Sequence, residues 1–115
     1  MQIINIGTDI EEVRRFEKLD KKVLARLFTK EELAYCLKSK NYAQHLAVRF
    51  AAKEAAFKAL PFDKIALKKI EVLRKPCQKP QLFIHDKRAK DLIFKLSLSH
   101  TKTSALAFVI VLKAS

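Results

Sequence analysis

Apolar and polar positions follow two different periods along the chain. In the first half they recur at intervals of three and four, as on one face of a helix. In the second half they alternate or run together, as in strands. The chain opens with IINIG, a short apolar run read as a strand ending at Gly7. A helix is expected next: Thr8 or Asp9 can cap it, Thr8 and Glu11 have capping-box spacing, and Val13, Phe16 and Leu19 follow at helical intervals. Asp20 is placed to cap a short helix carrying Val23, Leu24 and Leu27, and Thr29 with Glu32 forms another capping box. After the turn-like SKNYAQ, a long helix runs from Ala43 to Leu60, where Pro61 stops it.

The second half reads differently. IALKKIEVLRK and QLFIH are strands, separated by KPCQKP, whose prolines suit a connector better than a central strand. Asp86 caps a short helix over DKRAKDLIFK. KLSLSH alternates with a period of two and reads as a half-buried strand. TKTS is a turn, and ALAFVIVLK is a final, mostly buried strand. No repeat, low-complexity segment or linker interrupts the chain. The pattern predicts one α+β domain over residues 1–115, with a mostly antiparallel sheet packed against helices, one of them long and central.

Composition narrows the function classes. Half of the 115 residues are hydrophobic, enough for one packed core and too many for a disordered chain. The single glycine, Gly7, means that other turns needing positive φ are expected to use Asn or Asp. The net charge of +12 favours an anionic partner: nucleic acid, an acidic protein, a phosphorylated ligand or a membrane surface. Cys36 and Cys77 form no CxxC and no zinc-finger spacing with histidine, so both are expected to be reduced thiols. Without a signal-like start or a ~20-residue apolar run, a soluble cytoplasmic protein is expected.

Three stretches carry candidate chemistry. The first is RFAAKEAAFKAL at 49–60, where Leu46, Phe50, Phe57 and Leu60 form a bulky helical stripe interrupted by Lys53. Glu54 and Lys58 fall together beside it, along Ala47 and Ala51. They fit an ordinary i,i+4 ion pair, with Lys53 reaching to water. They equally fit an oxygen ligand for a hard cation, with a lysine facing a phosphate. The second is INIGTDIEE, where Asp9 is either a helix cap or a carboxylate fixed at a strand end. The third is KLSLSHTK, where His100 shares a strand face with Leu98, as a structural histidine or as a phosphate contact.

Taken together in this order, GTDI at 7–10, FAAKEAAFK at 50–58 and SLSH at 97–100 resemble the phosphopantetheinyl transferases, in particular their short bacterial branch. The resemblance spans essentially the whole chain, and its second motif is the specific one. It implies Asp9 and Glu54 as Mg²⁺ ligands and Lys58 as a phosphate contact. It implies Arg49, Lys79, Pro80, His100 and Thr101 as contacts to coenzyme A. Arg15 matches a position that meets an acidic apo-acyl carrier protein. It further implies a homotrimer with sites between subunits, and no nucleic-acid or membrane partner. The segment KALPFDKIAL lacks the glycine common after the motif's last lysine, so no residue is carried over there. A basic nucleic-acid-binding module and a non-catalytic scaffold are the competing readings; acids at the two most constrained positions count against the first.

Overall fold

The computed structural model describes residues 1–114. Strand β1 (Gln2–Glu12) is followed by a 3₁₀ turn at Val13–Phe16, then helices α1 (Lys21–Leu27), α2 (Lys30–Leu37) and α3 (Tyr42–Ala59). Strands β2 (Ile70–Leu73), β3 (Gln81–Ile84), β4 (Leu92–His100) and β5 (Ser104–Lys113) complete the order, with further 3₁₀ turns at Leu67–Lys69 and Lys87–Ala89. The strands form a three-stranded sheet, β1-β5-β4, and a two-stranded sheet, β2-β3, all antiparallel. The α+β expectation holds, although the first strand belongs to the larger sheet.

Local signals decide the helix starts. Asp20 accepts a hydrogen bond from the Val23 amide at 2.9 Å. Thr29 and Glu32 form the expected capping box, with the Glu32 amide donating to Thr29 Oγ1 and the Thr29 amide donating to Glu32 Oε1. Helix α3 ends at Ala59 because Leu60, preceding Pro61, is extended at φ −66° and ψ 143°.

Elsewhere the sequence reading needs correction. Strand β1 does not stop at Gly7. It pairs with β5 through Glu12, opposite Ser104, and the expected helix after it is only the 3₁₀ turn. The Thr8 capping box is therefore absent. The helix expected after Asp86 is also a single 3₁₀ turn, and Leu92–Lys95 belong to β4. On α3 the alanines Ala51, Ala52, Ala55, Ala56 and Ala59 are fully buried in the core with residues of β2 and β5, and of the bulky stripe Leu46 and Leu60 are buried while Phe50 and Phe57 are half-buried. Among the described residues the positive-φ positions are Lys64 and Cys77, neither an Asn nor an Asp.

Lys53 does not reach water. It is fully buried and pairs with Glu32 Oε1 at 2.8 Å, while donating to the Leu67 and Ile70 carbonyls. Glu32 Oε2 accepts from the Val72 amide at 2.8 Å. This buried pair ties α2, α3 and the start of β2 together. Burial lowers the Lys53 pKa below the ordinary lysine value, with Glu32 acting in the opposite direction.

Gly7 serves close approach rather than turning. A Cβ there would lie 1.9 Å from the Ala55 carbonyl oxygen and 3.1 Å from the Ala59 methyl. Backbone cannot yield as a flexible side chain does, so Gly7→Ala must push α3 away from the sheet. The substitution is expected to cost about 3 kcal/mol or more, read from urea denaturation. An unchanged midpoint would contradict this packing.

Candidate active site

Along β1 the usual alternation is inverted. Ile6 and Ile10 are 56% and 66% exposed, while Gly7, Asp9 and Glu11 turn toward α3. Asp9 lies opposite Ala107 and Glu11 opposite Ala105, both fully buried alanines. Because α3 settles onto Gly7, its Glu54 and Lys58 come beside these acids. Lys58 Nζ donates to Asp9 Oδ1 at 3.2 Å and to the Thr8 carbonyl at 3.1 Å. The i,i+4 spacing suggested Glu54 as the partner of Lys58, but its ion pair is with Asp9.

The acids repel one another. Burial, then Asp9, raises the Glu54 pKa above the ordinary carboxylate range. Burial first, then a hydrogen bond and charge repulsion from Asp9, lifts Glu11 from 4.5 to about 7, opposed by Arg15. Arg15 is bonded directly to Glu11, and its guanidinium lies 5.7 and 5.8 Å from the Phe16 and Phe50 ring centres. Asp9 Oδ2 is buried with no hydrogen-bond donor. Glu11, when protonated, is the neighbouring group able to donate to Asp9.

Among the described residues, no group of three or more His, Cys, Asp or Glu side chains is arranged to hold a metal by itself. Asp9 and Glu54 nevertheless fit a hard cation. They offer carboxylate oxygens, Asp9 Oδ2 without a partner and Glu54 in surroundings that penalise its negative charge. Mg²⁺ needs only one or two such protein ligands.

A second group of expected residues gathers elsewhere. Arg49, Lys79, Pro80 and His100 line a cavity of about 640 Å³ together with Tyr35 and His45, and its wall contains no Asp or Glu. Thr101 is not in that wall. It belongs to the β4–β5 turn, its amide donating to the Ser104 carbonyl and its own carbonyl accepting from Gln44. Asp9, Glu54 and Lys58 are not in the wall either, so one chain presents the acids and the cationic cavity as separate features. Sequence reasoning missed Glu11, His45 and Arg74 as neighbours of these features. The period-two spacing of Asp9 and Glu11, and the helical spacing of His45 and Arg49, were the available signals.

Comparison with known proteins now identifies the scaffold. Residues 5–109 match the 4′-phosphopantetheinyl transferase superfamily. The chain is 39% identical to a holo-[acyl-carrier-protein] synthase of Geobacter sp. (strain M21), over 95% of this chain and 98% of that protein. It is 45% identical to the Treponema denticola protein of the same name, with the same coverage. The structure of a Bacillus anthracis holo-(acyl-carrier-protein) synthase in complex with CoA (3′,5′-ADP) superposes with a TM-score of 0.84 at 33% identity, covering 100% of both chains. A Helicobacter pylori holo-[acyl-carrier-protein] synthase in complex with coenzyme A gives 0.79 at 29% identity, covering 92% of this chain and 98% of that one. The chain belongs to the 4′-phosphopantetheinyl transferase superfamily, in its short holo-[acyl-carrier-protein] synthase branch, and is an enzyme of that class.

The acidic cluster has a pH signature in metal-free protein. Below about pH 4.5, Glu11 is protonated in both folded and unfolded chains. Between 4.5 and about 7 the folded chain retains a proton that the unfolded chain releases, so stability falls as pH rises. In EDTA, Glu11→Gln should therefore gain on the parent in melting temperature across that window and hold a constant lead above it. A lead that does not grow with pH would contradict the charge placement.

Proposed function

We propose that the protein transfers the 4′-phosphopantetheine group of coenzyme A to a serine of apo-acyl carrier protein, with Mg²⁺, releasing adenosine 3′,5′-bisphosphate. This is the priming step for fatty acid biosynthesis. The observation that carries the reading is the meeting of Asp9, Glu54 and Lys58 where α3 crosses β1. The acid-free cavity around Arg49, Lys79 and His100 supports it as a place for the nucleotide phosphates. The coenzyme A complexes of the Bacillus anthracis and Helicobacter pylori relatives support it further.

In this reading Asp9 and Glu54 hold Mg²⁺, which when bound neutralises charge on the pyrophosphate. Lys58 supplies a second positive charge beside it. The carrier serine oxygen attacks the phosphorus bearing the pantetheine arm, and the bond to the bridging oxygen breaks. The bridging oxygen leaves on adenosine 3′,5′-bisphosphate, and the serine proton passes to a carboxylate of the cluster. Such transfers depend chiefly on alignment and charge neutralisation. Arg49, Lys79, Pro80 and His100 would seat the nucleotide half of coenzyme A, with Thr101 at the edge of that seat. Arg15, exposed on its outer side, would meet an acidic carrier surface.

The same reading treats residues 1–115 as one catalytic domain working in the cytoplasm as a homotrimer. Ile6, Ile10, Leu106 and Phe108 form an exposed apolar surface on the outer face of β1 and β5, which suits contact between copies. An interface there would also allow acids and cationic cavity from different copies to meet. Among the described residues, no helix is long and apolar enough to cross a membrane.

Intact mass of an apo-acyl carrier protein, after incubation with enzyme and coenzyme A, tests the reaction. A phosphopantetheine-sized gain is expected with Mg²⁺ and none with EDTA. Glu54→Gln should slow the gain by about 100-fold or more. No gain with folded protein and several carriers would reject the proposal. For the assembly, Phe108→Glu should shift sedimentation from trimer to monomer and depress transfer. A parent protein that sediments as a monomer would defeat the trimer.

A further inference from the structure

The β2–β3 connector places a thiol at the mouth of the cationic cavity. The Gln78 amide donates to the Lys75 carbonyl at 3.0 Å, closing a tight turn with Pro76 and Cys77 at its corners. Cys77 has φ 60°, a conformation that favours glycine, and its side chain is exposed rather than packed. It lines the cavity with Arg49, Arg74 and Lys79.

An independent feature of the cavity points to an anionic occupant. Arg49 is only 3% exposed, and its guanidinium lies over the Tyr35 ring at 4.4 Å. Its Nη1 donates to the His45 carbonyl, but its buried Nε has no acceptor. A buried guanidinium with an unmet donor, in a wall without carboxylates, favours a bound anion. Cys36 offers no competing reaction: it is buried, and burial pushes its thiol up to about 11.

We infer that Cys77 is a modification site for low-molecular-weight anionic disulfides, recruited by the Arg49–Lys79 wall of the cavity. The Cys77 thiol gives its proton to solvent, and its sulfur attacks one sulfur of the incoming disulfide. A Cys77–S–S–R bond forms as the original S–S bond breaks. The other half departs as thiolate, so the disulfide is the oxidant and the balance closes. The adduct occupies the cavity mouth, and excess thiol reverses the step. This inference stands on the cavity itself and does not require coenzyme A to be its ligand.

The test compares two probes on the full chain: bis(nitrobenzoate) disulfide, a dianion, and dipyridyl disulfide, which is neutral. Each rate is measured on folded protein and on the same chain unfolded in urea. One aryl thiolate should be released per folded chain, with the mass gain on Cys77 and none in Cys77→Ser. The anionic-to-neutral rate ratio should be about 10-fold higher folded than unfolded, and should fall in high salt and in Lys79→Gln. A ratio unchanged by unfolding, insensitivity to salt, or an adduct on Cys36 would overturn the inference. Added adenosine 3′,5′-bisphosphate separately tests the transferase reading. If it fails to slow labelling while the ratio stands, the nucleotide assignment fails and the modification site does not.

Discussion

The structure depends on one close contact: the backbone of β1 at Gly7 against the backbone of α3 at Ala55. A methyl group at Gly7 would lie 1.9 Å from the Ala55 oxygen, so only glycine admits this separation. The alanines on the buried face of α3 make the same approach possible from the other side. With the helix this low on the sheet, side chains just beyond the contact are forced together. Asp9 follows Gly7 by two residues on the same strand face, and Glu54 and Lys58 flank Ala55 on the helix. The contact that packs the core thus also assembles the acidic cluster.

Helix α3 treats its charges in two contrasting ways. Lys53 is completely enclosed, but Glu32 and two carbonyls satisfy it, and it joins α2 to β2. Its neighbour Glu54 faces Asp9 instead, with its charged form disfavoured by burial and by a like charge. A buried paired ion is structural, whereas Glu54 sits among acids whose counter-charges, Lys58 and Arg15, pair with Asp9 and Glu11 instead. That difference separates the lysine that holds the fold from the carboxylate suited to a cation. Two adjacent positions on one helix therefore differ: Lys53 is tied into the architecture, and Glu54 is the one the proposed function assigns to chemistry.

The sequence made local features legible and left distant partners obscure. The caps at Asp20 and at Thr29–Glu32 could be read because their partners lie within three residues. The end of β1 could not, because the strand buries acids and exposes isoleucines, reversing the pattern that marks a half-buried strand. Asp9 and Glu54 were visible as motif residues. Their relation was not, because Lys58 finds its partner on a strand remote in sequence rather than one turn back on its own helix. Glu32 as the partner of Lys53 was hidden for the same reason. The alternation of Asp9 and Glu11 offered Glu11 as a third member of the cluster, but only after residues 7–12 were recognised as strand. Cys77 carried no sequence signal beyond its type, since the cavity beside it is built from α2, α3, the β2–β3 connector and β4.

The central claim is that the Gly7–Ala55 contact creates a cation site between Asp9 and Glu54. Anomalous diffraction from crystals grown with Mn²⁺ and coenzyme A tests it most directly. The account predicts an anomalous peak within coordination distance of both carboxylates, in contact with the coenzyme A pyrophosphate. A peak elsewhere with these carboxylates vacant, or coenzyme A bound with no metal near them, would contradict it.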